Sequence, residues 1–328
     1  MLLAGDIGGT KTVLAVYDPE VGPRHPLHKA TYPSHDFDSL EAVVSAYLQS
    51  YSWSVSHAAF GVAGPVVADR AEITNLPWII ERQRLASTLS LEDVHLLNDL
   101  EAVATSVPIL MGDDVSVLNE GKADPHGAIA VIAPGTGLGE GFLVWDGSAY
   151  RAFPCEGGHT DFAPVGKLQR DLLAYLHMKL NHVSYERVCS GLGIPNLYDF
   201  LRDSGRFEEP GSLAEQLRIA RDRTPLIVAA AQTQGTPICV ATLELFIDIL
   251  AREAGNLALK VLATGGVYLG GGIPPRILPQ LQHSKFLESF VSKGRFRDLL
   301  VNIPVKVICR ADAAILGVAH DGLRMMGA

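Results

Sequence analysis

The chain lacks most of the features that mark exported or metal-knuckle proteins. Its 328 residues include four cysteines and no C-x-x-C pair, so neither a zinc knuckle nor a redox dithiol is expected. The amino terminus has no positive segment followed by a sustained apolar run, which a signal peptide would require. The longest charge-free stretch, between Arg223 and Glu244, is interrupted by polar residues and Pro237. We therefore expect a cytoplasmic protein with reduced thiols and no membrane span.

Charge is also scarce. Charged residues make up 19% of the chain, and 36 Asp plus Glu against 27 Lys plus Arg give a formal charge of -9. Nucleic-acid binding depends on clustered Lys and Arg that neutralise phosphates, and no such block is present. Since 48% of the residues are hydrophobic, a core is readily formed, and the length suggests about two domains. We expect a small-molecule ligand and no nucleic-acid partner.

Two glycine-rich turns stand out, each between two short β-rich runs. The first turn lies between strands predicted at 2–5 and 12–17, and the second between strands at 128–133 and 141–144. The repeated strand-turn-strand design indicates a duplicated α/β fold with a phosphate loop in each half. Other predicted elements are an amphipathic helix after Asp38-Ser39, strands at 58–63, 94–97 and 305–309, and helices within 167–260.

The first turn reads Gly5-Asp6-Ile7-Gly8-Gly9-Thr10-Lys11-Thr12. Glycines allow backbone N–H groups to surround an anion, whereas a carboxylate beside them would repel phosphate unless a cation lay between. Asp6 therefore predicts Mg²⁺, bound through water. A Walker A loop is rejected because Thr10 replaces its glycine and because the turn joins two strands. The alternative is a purely structural tight hairpin.

Several polar residues have no evident structural task, although each has a plain alternative. Asn98-Asp99 ends a strand and opens a helix, where Asp is also an ordinary N-cap. The segment 155–161, Cys-Glu-Gly-Gly-His-Thr-Asp, groups two carboxylates and an imidazole, but its spacing does not suit zinc. Glu186 could be a solvated helix residue. The glycines of 265–266 and 270–272 could either border an adenine or allow close helix packing.

Phosphoryl transfer to an alcohol would give all of these groups one purpose. Two phosphate-binding turns and Mg²⁺ would hold the nucleotide, while a carboxylate accepts the proton of the attacking hydroxyl. The remaining carboxylate, amide and imidazole groups would bind the other hydroxyls of a sugar. No G-x-S-x-G elbow is present, so a serine hydrolase is not supported.

These motifs, in this order and at these separations, resemble the bacterial glucokinase family. The similarity covers nearly the whole chain and extends to 255–259, 293–296 and 302–305. It implies the actin-like ATPase (ribonuclease H-like) α/β fold, with two α/β domains and an interdomain cleft for ATP and glucose. Residues 1–110 would form the small domain, completed by 304–328, and 111–303 the large one. Lys11-Thr12 resembles the repressor/open-reading-frame/kinase sugar kinases, but their Cys-rich zinc motif is absent after His159.

The resemblance also implies roles for individual residues. Asp99 would be the base that faces the 6-hydroxyl of glucose, and the cofactors would be ATP and Mg²⁺, the latter at Asp6. A homodimer is expected because it is common in the family. Asn98, Glu156, His159 and Glu186 would bind the ring hydroxyls with Asn75 beside them, and the nucleotide would contact Gly5, Asp6, Ile7, Gly8, Gly9, Thr10, Gly135, Thr136, Gly137, Gly271 and Gly272.

The resemblance implies glucokinase activity, the transfer of the ATP γ-phosphoryl group to glucose. Two alternatives stay open at this point. One is a kinase for another hexose or an amino sugar, because the pocket contacts that select individual hydroxyls are only partly defined by the motifs. The other is a non-metabolic actin-like ATPase, which would have no need for the polar set around Asp99 and His159.

Overall fold

The structure, a computed structural model, describes residues 1–51, 53–73 and 76–327. The chain divides into two compact units, each considered by itself below. Unit 1 comprises residues 1–112, 146–154 and 310–328, and unit 2 comprises 113–145 and 155–309.

Unit 1 is built on a sheet of mixed direction. Its strands follow the order β3-β2-β1-β4-β8, with β1–β2 and β2–β3 antiparallel and β1–β4 and β4–β8 parallel. The carboxyl ends of β1, β4 and β8 therefore lie at one edge of the sheet, with Ile7 beside Val62 and Val62 beside Asn98. The elements are β1 (Leu2–Ile7), β2 (Lys11–Tyr17), β3 (His28–Pro33), α1 (Leu40–Tyr51), β4 (His57–Val62), β5 (Val66–Val67), β6 (Arg70–Glu72), β7 (Ile79–Glu81), α2 (Arg82–Leu89), β8 (Asp93–Asn98), α3 (Asp99–Ser106) and, from the end of the chain, α12 (Ala313–Met325).

Apolar layers cover both faces of this sheet. On one face, Val43, Val44 and Tyr47 of α1 pack with the β-strand residues Leu3 and Phe60. On the other, buried residues of β1 and α3 pack with α12, whose contributing side chains are Ile315, Val318, Ala319 and Leu323. The last helix of the chain is thus part of the core of unit 1.

Unit 2 shares with unit 1 a central run of one antiparallel and two parallel pairings. Its strands follow the order β11-β10-β13-β14-β9, with β10–β11 and β14–β9 antiparallel and β10–β13 and β13–β14 parallel. The two predicted glycine hairpins and the duplicated α/β design are therefore confirmed. The strands are β9 (Val115–Asn119), β10 (Ile129–Pro134), β11 (Leu138–Trp145), β12 (Tyr150–Cys155, of which only Cys155 belongs to unit 2), β13 (Gly266–Leu269) and β14 (Val305–Ile308).

The helices of unit 2 are α4 (Gly166–His177), α5 (Gly193–Asp203), α6 (Gly211–Ile219), α7 (Thr224–Thr233), α8 (Pro237–Lys260), α9 (Leu278–His283), α10 (Phe286–Phe290) and α11 (Arg297–Val301). The longest helix of unit 2, α8, is mostly buried, and α5, α7 and α10 pack against it. Apart from residues 52, 74, 75 and 328, which the structure does not describe, no single helix has the length and apolar character to cross a membrane. Among the described helices, only the pair α7 and α8 has that length and apolar character when taken together, and these two helices meet at a 109° bend.

The two units differ from the predicted domain boundaries at two places, because residues 146–154 are grouped with unit 1 and residues 304–309 with unit 2. The prediction assigned residues 304–328 to the first domain, whereas β14 pairs with β13 and β9 inside unit 2. The reason is that β14 supplies a parallel neighbour that the short strand β13 needs on its open side. Of residues 304–328, only the segment from Arg310 onward is grouped with unit 1.

Candidate active site

The first glycine turn, residues 8–11, connects β1 to β2 in unit 1. The Gly8 N–H donates to the Lys11 carbonyl at 3.0 Å and closes the turn. Ser34 lies against it, with its hydroxyl donating to the Gly8 carbonyl at 2.7 Å and its N–H to the Thr10 carbonyl at 3.0 Å. Two carbonyl oxygens that would repel an anion are therefore hydrogen-bonded within the protein, and phosphate binding by this turn stays a prediction. Ser34 has no sequence motif and was not predicted.

Two residues of the predicted phosphate-binding run are turned to the core instead. The Ile7 side chain is fully buried. A Cβ at Gly5 would lie 2.6 Å from the Phe60 ring, so a glycine is needed there for packing. Close packing against Phe60 therefore explains the glycine at position 5. A nucleotide contact by Gly5 or Ile7 stays a prediction and would involve only their backbone atoms.

Asp6 and Asp99 lie at the same edge of the sheet, near the ends of β1 and β8. Burial raises the pKa of Asp6 to about 6, and the Asp99 carboxylate adds to the rise while Lys11 and Lys29 oppose it. Asp99 is exposed, and its carboxylate accepts the Leu100 N–H at 2.8 Å. A carboxylate that burial and a second carboxylate both destabilise is suited to a cation, which would favour its charged form.

Asn98 has a structural task beside its predicted one. Its side-chain oxygen accepts the Leu100 N–H at 2.9 Å, and its amide donates to the Gly64 carbonyl at 3.0 Å. Glu101 completes a capping box at the start of α3 by accepting the Asn98 N–H. The amide therefore fixes Asp99 at the helix start, and a sugar contact by Asn98 stays a prediction. Asn75 lies outside the described residues.

In unit 2 the second glycine turn is braced in a similar way. Gly135 donates to the Gly137 carbonyl at 2.9 Å, and the carbonyls of Gly135 and Thr136 accept N–H groups of Gly191 and Leu192 at 2.8 and 3.1 Å. Glu186 lies beside this turn, accepting the Leu138 N–H at 3.1 Å. A Cβ at Gly137 would come 2.4 Å from that carboxylate. The fold thus places Glu186 at the second turn, where its Oε2 atom accepts the Leu138 N–H.

A 3₁₀ helix over Gly157–His159 presents the predicted pair Glu156 and His159. Both side chains are exposed, and His159 Nε2 lies 3.9 Å from Glu156 Oε2. The next residue, Thr160, accepts the Tyr185 N–H at 3.0 Å, so the segment that carries Glu186 is bound to this loop. Unit 2 therefore brings Glu156, His159 and Glu186 into one region, and their contacts with a sugar stay a prediction. Within the described part of the chain, no three His, Cys, Asp or Glu side chains form a metal-binding group.

A cavity of about 1140 Å³ in unit 2 extends from the second turn. Gly135, Thr136 and Gly272 line it, whereas Gly271 has φ +77° and packs against Pro134. Apolar walls and a few polar groups of this kind are typical of small-molecule sites. Sequence reasoning missed the remaining lining residues because they come from separate elements that only the fold brings together: Gly191, Leu192, Arg221, Asp222, Thr224, Pro225, Val228, Ala229, Gln232, Ile273, Arg276 and Ile277.

Comparison with known proteins agrees with this arrangement. The Glucokinase family model matches residues 3–324. A glucokinase of Nostoc punctiforme is 40% identical over 339 residues, which cover 99% of each chain.

Solved structures extend the similarity to the fold. The glucokinase of an Antarctic psychrotroph has a TM-score of 0.85 at 32% identity, with 98% of each chain covered. A ROK family glucokinase of Streptomyces griseus, with a TM-score of 0.66 at 19% identity over 98% of this chain and 99% of that one, shares the fold. The predicted actin-like ATPase α/β fold is thereby confirmed. With a family match across nearly its whole length and full-length relatives at this identity, the chain belongs to the glucokinase family.

Proposed function

We propose that this chain transfers the γ-phosphoryl group of ATP to the 6-hydroxyl of glucose and that Asp99 is the base. The carrying observation is the exposed Asp99 carboxylate, fixed by the capping box at the start of α3 and electrostatically coupled to Asp6. As the 6-hydroxyl oxygen bonds to the γ-phosphorus, the bond from that phosphorus to the β,γ-bridging oxygen breaks and ADP leaves. The hydroxyl proton passes to Asp99, which becomes a carboxylic acid. Membership of the glucokinase family supports both substrates.

The ATP-binding part of the proposal rests on the two braced turns and the cavity in unit 2. The Thr136 turn would bind phosphate oxygens through backbone N–H groups, and the cavity would take the nucleoside between α7 and the Gly272 segment. Hydrogen bonds already made by the turn carbonyls keep those acceptors away from the phosphates. The ROK family glucokinase of similar fold was solved with glucose and AMPPNP, which supports these two ligand classes.

We assign Mg²⁺ to Asp6, held through water, because its carboxylate is partly buried beside a second carboxylate. Mg²⁺ usually keeps several waters and uses one or two carboxylates together with substrate phosphates. This coordination of Mg²⁺ is compatible with a site at which Asp6 is one of few protein ligands. When bound, the ion would neutralise charge on the transferring phosphoryl group.

The sugar-binding part of the proposal assigns the ring hydroxyls to Glu156, His159, Glu186 and Asn98. Glu156 and His159 are exposed and carry acceptors and a donor on one short loop. Glu186 keeps one carboxylate oxygen beyond its bond to Leu138, and Asn98 can accept a second hydrogen bond at its side-chain oxygen. A hexose needs several such groups at once.

A cytoplasmic location and a homodimer belong to the same proposal. The location follows from ATP as the phosphoryl donor, and the dimer follows from the family resemblance. Light scattering tests the assembly, since a particle of twice the chain mass supports a dimer and one of the chain mass contradicts it.

ADP release with Mg-ATP tests the activity. The purified chain would be assayed with glucose, mannose, fructose, glucosamine, N-acetylglucosamine, N-acetylmannosamine and no sugar, and the product identified by mass. Glucose-dependent release with glucose 6-phosphate formed supports the proposal. Faster ADP release with another sugar would mean that this sugar, and not glucose, is the substrate. Equal ADP release with and without sugar would indicate an ATPase.

A further inference from the structure

Glu140 is a buried acid that the proposed reaction does not use. It lies on β11 opposite Ile132, and its side chain has no exposed surface. Neither carboxyl oxygen has a hydrogen-bond partner among the residues that the structure describes. A buried ionised carboxylate without a partner is strongly disfavoured, so a purely structural reason for an acid at this position is absent.

The groups around Glu140 favour its neutral form. Burial, together with the neighbouring Glu253 carboxylate, raises the pKa of Glu140 to about 8, and Lys260 opposes the rise. Glu253, itself fully buried on α8, accepts hydrogen bonds from Asn256 at 2.8 Å and Lys260 at 3.1 Å, so its charge is compensated. Burial and the Glu140 carboxylate both raise the pKa of the neighbouring thiols Cys155 and Cys189, and the loop packed on Glu140 carries the titratable side chains Glu156 and His159.

Glu140 lies directly against the loop that carries Glu156 and His159. A Cβ at Gly157 would be 2.0 Å from Glu140 Oε2, so only a glycine fits over the carboxyl group. The neighbouring Gly158 is equally close to the same strand, because its Cβ would come 2.1 Å from the Leu138 carbonyl. The loop therefore rests on β11 through two glycines, and Glu140 is the side chain beneath the first.

We propose that Glu140 is a positioning residue for the sugar-binding loop 156–159, supporting Gly157 in its neutral form and releasing the loop when it ionises. The inference rests on the proposed roles of Glu156 and His159. An ionised Glu140 needs water or N–H donors, and these reach it only if the covering Gly157 moves away. Movement of Gly157 displaces the side chains of Glu156 and His159, so glucose binding weakens. The phosphoryl-transfer step on bound glucose keeps its rate.

Steady-state kinetics between pH 6 and 9.5 tests this, with wild type, Glu140→Gln and the exposed control Glu215→Gln on α6. For wild type and the control we expect kcat/KM for glucose to fall about tenfold between pH 7 and 9, as one essential acid of pKa about 8 requires, with kcat nearly constant. In Glu140→Gln that fall should disappear. The same fall in Glu140→Gln and wild type, or no fall in wild type, would overturn the proposal.

Hydrogen exchange provides a second readout that does not depend on activity. After correction for the intrinsic rate, amides of 156–160 in wild type should lose protection above pH 8, whereas Glu140→Gln should retain it. If that variant does not fold, Glu140→Met supplies a neutral side chain of similar length. Wild type without glucose-dependent ADP release would refute the proposed function, while unchanged protection across the pH range would refute the role of Glu140.

Discussion

Asp99 occupies the first residue of a helix, so its replacement can be designed to preserve structure. Asparagine keeps the size and the oxygen that accepts the Leu100 N–H, but it cannot accept a proton at neutral pH. We expect Asp99→Asn to lower kcat by about 10² to 10⁴, the range for loss of a general base. Glucose and ATP affinities, measured by calorimetry, should change little. Turnover within a few fold of wild type would show that Asp99 is not the base.

Gly157 is the residue most constrained by its neighbours near the sugar-binding loop. Alanine would place its Cβ 2.0 Å from Glu140 Oε2, so the loop must shift. We expect Gly157→Ala to raise KM for glucose at least about tenfold with a smaller change in KM for ATP, measured by ADP release. Since the clash is with Glu140, adding Glu140→Ala should recover part of the loss. Strictly additive effects would mean that the two residues do not act together.

The site residues that we propose from the sequence lie in short motifs, whereas residues defined by tertiary contacts have no sequence signal. Asp6, Asp99, Glu156 and His159 adjoin glycines or strand ends, where ligands of α/β proteins bind. Ser34 and Glu140 have no local signal, because their importance depends on which backbone groups the fold brings to them. The hydrogen bond between Glu186 and the Leu138 N–H likewise could not be predicted without the fold.

At the scale of elements, α12 crosses α3 at a glycine. A Cβ at Gly317 would lie 1.8 Å from the Ala102 carbonyl and 2.8 Å from the Ser106 N–H. We expect Gly317→Ala to lower the free energy of unfolding by about 1–3 kcal/mol, as overpacking does, measured by urea unfolding. Because α3 begins with Asp99, kcat should fall as well.

A matched substitution separates this clash from the general effect of adding a methyl group to a helix. Gly211 on α6 has no atom within 4 Å of the added Cβ, so Gly211→Ala should be neutral or stabilise by up to about 1 kcal/mol. Equal losses of stability in the two variants would contradict the packing explanation for Gly317.

Element predictions succeeded where the local pattern was strong. The two hairpins and the helix after Ser39 follow from glycine turns and apolar periodicity, and all three are present. The short strands β5, β6 and β7 were not predicted, because two or three residues are too few to show a period. A strand was predicted at 305–309 and is present as β14 (Val305–Ile308), but it pairs with β13, which the sequence does not reveal.

At the scale of the whole molecule, Glu140 affects the dependence of stability on pH. Its pKa is raised from 4.5 to about 8 in the folded chain, so between these values the unfolded chain has lost a proton that the folded chain keeps. Wild type therefore loses stability as pH rises from about 5 to 8. We expect the unfolding free energy of Glu140→Gln, relative to wild type, to grow over this interval by up to about 4 kcal/mol.

Urea unfolding at pH 5, 6, 7, 8 and 9 checks this expectation, with Glu215→Gln as the control. The difference between Glu140→Gln and wild type should widen up to about pH 8 and then level off, whereas the control should run parallel to wild type. Parallel curves for all three proteins would mean that Glu140 is not buried in its neutral form.

The discontinuity of unit 1 has a consequence for how the chain matures on the ribosome. Its sheet is synthesised first, but the apolar face formed by Leu2, Ala4 and Ala102 is covered by α12, which is synthesised last. About 200 residues separate these segments in the sequence. At roughly 5–20 residues synthesised per second, α12 follows the rest of this face after about 10 to 40 s. The apolar face of the nascent unit 1 is therefore exposed during this interval, until α12 has been synthesised and packs on it.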